Sequence, residues 1–181
     1  VDYNIWLGPA PEKAFNPNRF HYNWHWHWDY GNGDLGNQGI HQMDLARWGL
    51  GKNEFPRAVL ASGGRFGYSD DGQTPNTLHV GFEFDDSELQ FEVRGLYTNE
   101  EAKVKIGDIF YGTEGMLAIT SYESWQVFFG PKQEKGPGGA GGGDHSANFI
   151  KAVKARGRKV LAADIGGGNT GSAVGHVGSA G

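Results

Sequence analysis

The sequence predicts an α+β fold, an open, predominantly antiparallel β-sheet with helices packed on one face, and three observations point there. Segments 57–64, 77–84 and 88–97 alternate apolar and polar residues between turn signals, the period of a half-buried strand. Residues 37–50 repeat Ile40, Met43, Leu45 and Trp48 at helical spacing. The order of elements runs loop, strand, helix, a series of strands and a final helix, without the regular strand–helix alternation of a parallel sheet. The uncovered sheet face is expected to meet a partner subunit, making a homo-oligomer.

The elements follow in order. Residues 1–36 form an aromatic loop and strand region. Closely spaced Pro9, Pro11 and Pro17 exclude a helix there, and Trp6, Phe15 and Phe20 pin the loop. From Tyr22 to Trp28 the residues alternate, with Tyr22, Trp24, Trp26 and Trp28 on one strand face and His21, His25, His27 and Asp29 on the other. Glycines with Asn32 and Asp34 turn the chain into helix 37–50, which Asn37 is expected to cap and Gly49 and Gly51 to end. The sheet region is 57–129, with a hairpin at Asp85-Asp86-Ser87 and further strands at 104–111, 115–121 and 124–129. Residues 130–143 read as a flexible glycine-rich connection. Residues 144–181 form a C-terminal helical region: Asp144 caps a helix to about 156 with Phe149, Ile150 and Val153 inward, whereas 164–181 makes a poor helix on propensity.

Composition narrows the function. With 181 residues the chain fits a single domain, and 13% aromatics with 31 glycines call for flat rings and bare backbone together. A net charge of -5 argues against nucleic acid and against an anionic membrane surface. No apolar run is long enough to span a bilayer, so a soluble protein of the cytoplasm or periplasm is expected. The absence of cysteine excludes disulfides and thiolate chemistry. The chain opens at Val1 without Met, and a processed or partial chain is expected.

Two constellations carry chemistry. Gly136, Gly138 and Gly141 spell the G-x-G-x-x-G pattern, but Lys132-Gln133-Glu134-Lys135 precede it where a buried strand should end, so it reads as linker. The strip from 24 to 48 is the better candidate. Its histidines with Asp29 resemble a metal cluster, yet their spacing matches no metal signature, and no metal is expected. A carbohydrate or polyol site explains it better: indole faces cover sugar C–H surfaces while His, Asp and Asn bind hydroxyls. His25, Trp26, His27, Asp29 and Asp34 are the candidate substrate-binding residues. His41, one helical turn after Asn37, is the candidate proton carrier, and the two are the candidate catalytic pair.

The run Gly33-Asp34-Leu35-Gly36-Asn37-Gln38-Gly39-Ile40-His41-Gln42-Met43-Asp44 resembles the Gfo/Idh/MocA family of nicotinamide-dependent oxidoreductases, specifically their C-terminal domain. Segments 56–66, 91–95, 110–115 and 145–153 are similar to family segments in the same order. The resemblance implies a two-domain enzyme, with NAD or NADP held mainly by an N-terminal Rossmann domain that these residues do not contain. This domain would then bind a sugar-like small molecule and oligomerise, and alone it is expected to be inactive. His41 matches the family's active-site histidine, and Asn37 stands in the place of the usual aspartate. The glycine-rich tail departs from the family's regular amphipathic helix. The leading expectation is the substrate-binding and oligomerisation domain of an NAD(P)-dependent sugar or polyol oxidoreductase. The alternatives are an NAD-dependent glycoside-cleaving relative and a stand-alone, non-catalytic carbohydrate-binding or assembly module.

Overall fold

Asp85, Asp86 and Ser87 turn the chain between β2 (Thr77–Glu83) and β3 (Glu88–Arg94), and Phe84 N donates to Ser87 O across the turn at 2.9 Å. β1 (Ala58–Gly64) pairs antiparallel on the other side of β2, so this sheet has the order β1-β2-β3. The computed structural model describes residues 1–67, 69–96 and 100–180. Residue 97, the last of the expected third strand, lies outside the described residues, as does residue 181.

The sheet obeys the period of two. Leu78, Val80 and Phe82 on β2 are buried and lie opposite Val93, Phe91 and Leu89 on β3, whereas Glu88, Gln90, Glu92 and Arg94 point to water. The buried face receives α2 (Gly33–Gly36), the start of α3 (Gly39–Gly49) and the end of α5 (Ile165–Ala180). A Cβ at Gly39 would stand 2.4 Å from Phe91 Cζ, and one at Gly178 would stand 2.7 Å from Phe82 Cζ. Residues 1–41, 55–97 and 172–181 make up this compact unit.

The remaining strands form a second sheet, where one sheet was expected. β4 (Asp108–Tyr111), β5 (Gly115–Ser121), β6 (Ser124–Phe129) and β7 (Glu134–Ala140) follow one another as an antiparallel meander. Residues 42–54 and 98–171 form the unit that contains it. The class is α+β, with its strands divided between two antiparallel sheets.

The opening loop, where the prolines were expected to exclude a helix, begins with α1 (Tyr3–Leu7), which Asp2 caps by accepting from Asn4 N at 3.0 Å and Ile5 N at 3.2 Å and which ends before Pro9. Four further local expectations are corrected. Tyr22 to Trp28 is not a strand: His21–Trp26 form a 3-10 helix, entered through His21 at φ 51°. The 3-10 repeat sets residue i over i+3, and Tyr22 meets the His25 ring edge-on at 4.6 Å, a contact that an extended chain cannot make. Asn37 does not cap the following helix. It ends α2, its N–H donating to Gly33 O at 3.0 Å, and α3 starts at Gly39.

The third correction is the stretch 130–143, expected as a flexible connection, which contains β7. An edge strand tolerates Pro137 and the glycines, and Gln126 Nε2 donates to the carbonyls of Gly136 (2.7 Å) and Pro137 (2.9 Å). The fourth is the C-terminal region. Asp144 accepts from Ala147 N at 2.8 Å and caps α4 (His145–Ala155) as expected, but Phe149, Ile150 and Val153 are exposed rather than inward. The tail 164–181, expected to be a poor helix, carries α5, because packing outweighs propensity: Val174 is wholly buried, and Asn32 Nδ2 donates to His176 Nδ1 at 3.1 Å.

Candidate functional site

The candidate site lies in the first unit and is assembled by local backbone hydrogen bonds. Asn16 caps the short 3-10 turn Pro17–Arg19 by accepting from Asn18 N at 2.9 Å. Trp26 O then accepts from Gln73 N (2.8 Å) and Thr74 N (3.2 Å), and Gln73 Oε1 accepts from Trp28 N (3.0 Å). These bonds tie the aromatic strip to the loop 70–76. That loop is held in turn by Arg65, which donates to Thr74 O at 2.9 Å and to the Asp70 carboxylate, whose pKa it lowers by hydrogen bonding.

Within the strip the histidines and the tryptophans differ in burial. His25 and His27 are 1% and 3% exposed, while Trp24 and Trp28 are 39% and 48% exposed. The imidazoles are inside and the indoles outside. His25 is wedged against Tyr22, Trp24 and Trp26, with its ring 4.2 Å from that of Trp26. A carbonyl can only accept, so His25 Nδ1 donates to Tyr22 O. Nε2 is buried without a hydrogen-bond partner and stands 3.8 Å from Asp34 Oδ1. Asn37 Nδ2 donates to Tyr22 Oη at 3.1 Å and joins the same cluster.

The predicted residues thus divide into groups. His25, Trp26, Asp34 and Asn37 come together around Tyr22, which sequence reasoning put in the strip but left out of the site. His41 stands exposed in the first turn of α3, its backbone N donating to Gln38 O at 3.3 Å. Asp29 is paired with Lys13, and His27 Nε2 lies 3.4 Å from Asn18 O. Among the described residues, no three His, Asp or Glu side chains are grouped to hold a metal ion.

Two clefts flank the strip. One, of about 500 Å³, is lined by Trp6, Pro9, Pro11, Trp24, Asp29 and Tyr30. Trp6 is fixed there by Phe20 (4.9 Å) and Tyr30 (5.0 Å). The second, of about 330 Å³, is lined by Lys13, Asn16, Arg19, His27, Asp71 and Gln73. Asn18 and Asn16 donate to Asp71 Oδ2 at 2.8 and 3.3 Å and lower its pKa. Sequence reasoning missed Trp6, Trp24, Tyr30, Lys13 and Arg19 as lining residues. The density of proline and aromatic residues before Trp24 was the available signal.

Residues 1–65 match the model of the oxidoreductase family, C-terminal alpha/beta domain. Over this stretch, about a third of the chain, the sequence is similar to the C-terminal domain of Gfo/Idh/MocA oxidoreductases. Solved structures agree on the fold. A protein from Bacteroides fragilis assigned as an oxidoreductase aligns over 81% of this chain and 50% of its own, at 12% identity and a TM-score of 0.54. One from Klebsiella pneumoniae, assigned likewise, aligns over 78% of this chain and 44% of its own, at 10% identity and a TM-score of 0.54. YvaA from Bacillus subtilis, also assigned as an oxidoreductase, aligns over 78% and 48%, at 10% identity and 0.55. The chain spans about half the length of these structures. No match was found among curated proteins. Among the described residues, no helix is long and apolar enough to cross a membrane.

Proposed function

We propose that this chain is the substrate-binding and oligomerisation domain of an NAD(P)-dependent oxidoreductase acting on a sugar or polyol. One observation carries the reading: the glycine-rich block 33–48 folds into α2 and α3, leaving His41 exposed and placing Asp34 and Asn37 beside Tyr22 and His25. The nicotinamide cofactor itself does not fit these residues. Gly136 and Gly138 lie within β7 and Gly141 just beyond it, not in a strand-to-helix turn, and both described sheets are antiparallel. This domain therefore supplies the substrate side of the site. Asp34 and Asn37 orient substrate hydroxyls, and His41 accepts the proton of the hydroxyl that is oxidised. The polar outer face of the β1-β2-β3 sheet, with His79 3.2 Å from Glu92, supports a partner subunit there.

The test is turnover of a sugar and polyol panel by the full-length protein with NAD or NADP. His41→Ala is expected to lower kcat/KM by roughly 100-fold or more, as loss of a general base does. Unchanged turnover removes His41 from the mechanism, and release of an aglycone without net cofactor reduction selects glycoside cleavage instead. A stand-alone carbohydrate-binding module is the second reading, favoured by the exposed indole of Trp24 in the aromatic cleft. Sugar binding with no hydride transfer to any panel member selects it.

A further inference from the structure

We propose that the first unit binds a neutral oligosaccharide of at least two rings, laid along the two clefts that meet at the Lys13–Asp29 ion pair. The proposal rests on the reading of this domain as the sugar-contacting part of the protein, and it moves the main binding surface away from the buried His25.

The first argument is burial within the strip. Burying two imidazoles while leaving Trp24 and Trp28 at the surface runs against the burial preferences of these residue types. Trp24 meets the His25 ring on one side and forms part of a cleft wall with Trp6 and Tyr30 on its exposed side. Such flat, rigid walls suit the C–H face of a pyranose ring. Pro9 and Pro11 line the same cleft with backbone whose φ is already set, so little order has to be imposed on binding.

The second argument is charge. Lys13 and Arg19 face Asp29 and Asp71 across the two clefts, so their formal charges cancel. An anionic ligand would have to draw Lys13 away from Asp29 and approach Asp71, whereas an uncharged polyhydroxyl ligand uses the ammonium and guanidinium as donors and the carboxylates as acceptors. A purely apolar ligand would desolvate these groups without replacing their partners.

The third argument is size and continuity. The cleft volumes of about 500 and 330 Å³ each fall in the range of roughly 300–1,000 Å³ found for small-molecule sites. They are not independent, because Asp29 lines one and its partner Lys13 lines the other. A ligand that fills both passes over that ion pair, with one ring on the aromatic wall and the next against Arg19, Asp71 and Gln73.

The experiment is calorimetric titration of the full-length protein with neutral glucose, xylose and mannose oligomers of one to four units, and with uronic-acid dimers. At least one neutral series is expected to bind about tenfold or more tightly as the dimer than as the monomer. Trp24→Ala should weaken the dimer about tenfold, Trp24→Phe should restore most of the affinity, and Arg19→Ala should weaken the dimer but not the monomer. Lys151→Ala, on α4 of the other unit, should leave Kd unchanged. Circular dichroism of each variant separates lost binding from lost folding. Absence of binding by every neutral oligomer, equal affinity for monomer and dimer, tighter binding of the uronates, or indifference to Trp24→Ala in a folded protein each overturns the proposal. Turnover measured in parallel keeps the two readings apart. Oligosaccharide binding without hydride transfer sinks only the oxidoreductase reading, and turnover of monosaccharides with no oligomer preference sinks only this one.

Discussion

Asp108 makes the stability of this protein fall as pH rises. It opens β4 with Oδ2 buried and without a hydrogen-bond partner, and burial raises its pKa from 3.8 to about 7. Between those values the folded chain holds a proton that the unfolded chain has released, so deprotonation favours unfolding. The contribution is absent at acidic pH, where both states are protonated. It grows as pH passes through the ordinary aspartate range and levels off above about 7. At about 1.4 kcal/mol per pH unit the ceiling is about 4 kcal/mol. The side chain is only part-buried, and solvent screening brings the expected value to about 1–2 kcal/mol. The perturbation is Asp108→Asn, which keeps the shape and removes the titration. Thermal unfolding of both proteins at pH 3 and pH 8 is the assay. The two should unfold within about a degree of each other at pH 3, and the variant should be higher by about 2–8 °C at pH 8 for a chain of this size. Parallel pH profiles for the two proteins would refute the reasoning, because every other titrating group cancels in the comparison.

Other substitutions test the packing. Phe82→Ala, at a fully buried position in the β1-β2-β3 sheet, should cost about 3–5 kcal/mol by denaturant unfolding. Gly178→Ala should destabilise by about 1–3 kcal/mol, since its methyl would stand 2.7 Å from Phe82 Cζ and 3.2 Å from Leu35 Cδ2. Gly167→Ala, in the same helix with no neighbour within 4 Å, should instead stabilise by about 0.5–1 kcal/mol. Opposite signs in two melting curves are the readout. Asn37→Ala should lose the bond to Tyr22 Oη at a cost of about 0.5–1.5 kcal/mol and lower the affinity for whatever sugar is turned over.

What could be read from the sequence depended on whether burial followed the backbone period. Leu78, Val80 and Phe82 alternate with polar neighbours, one face is buried, and β2 and β3 fall where the pattern predicts. Asp144 states its helix start through a single side-chain bond to Ala147 N, and that too is local. The strip at 22–28 alternates just as cleanly, yet it winds into a 3-10 helix, because ring contacts at i+3 and i+4 hold it and no sheet partner does. Alternation reports two environments and does not say which is the interior. His41 and Asn37 could be named from their motif, whereas Trp6, Lys13 and Arg19 could not. Their place at the clefts depends on tertiary contacts that no local pattern announces: Trp6 against Phe20 and Tyr30, and Lys13 on Asp29.

The high glycine and aromatic contents, noted separately in the composition, have one physical origin. A Cβ at Gly39 would strike Phe91, at Gly49 Phe110, at Gly136 Phe129 and at Gly178 Phe82, every one at 2.7 Å or less from a ring atom. In each case a ring atom comes so close to the backbone that only hydrogen at Cα leaves it room. This resolves the two stretches that propensity misjudged. β7 forms although it contains Gly136, Gly138 and Gly139, because the Phe129 and Trp125 rings of the neighbouring strand cover the space that side chains would have used. The last turns of α5 tolerate glycine because the helix comes close enough to β2 for Phe82 to be fully buried. Propensity scales charge each glycine about 1 kcal/mol for its freedom in the unfolded chain. They omit the ring burial that the missing methyl allows, which for a phenylalanine is worth about 1.5–3 kcal/mol and decides the sign.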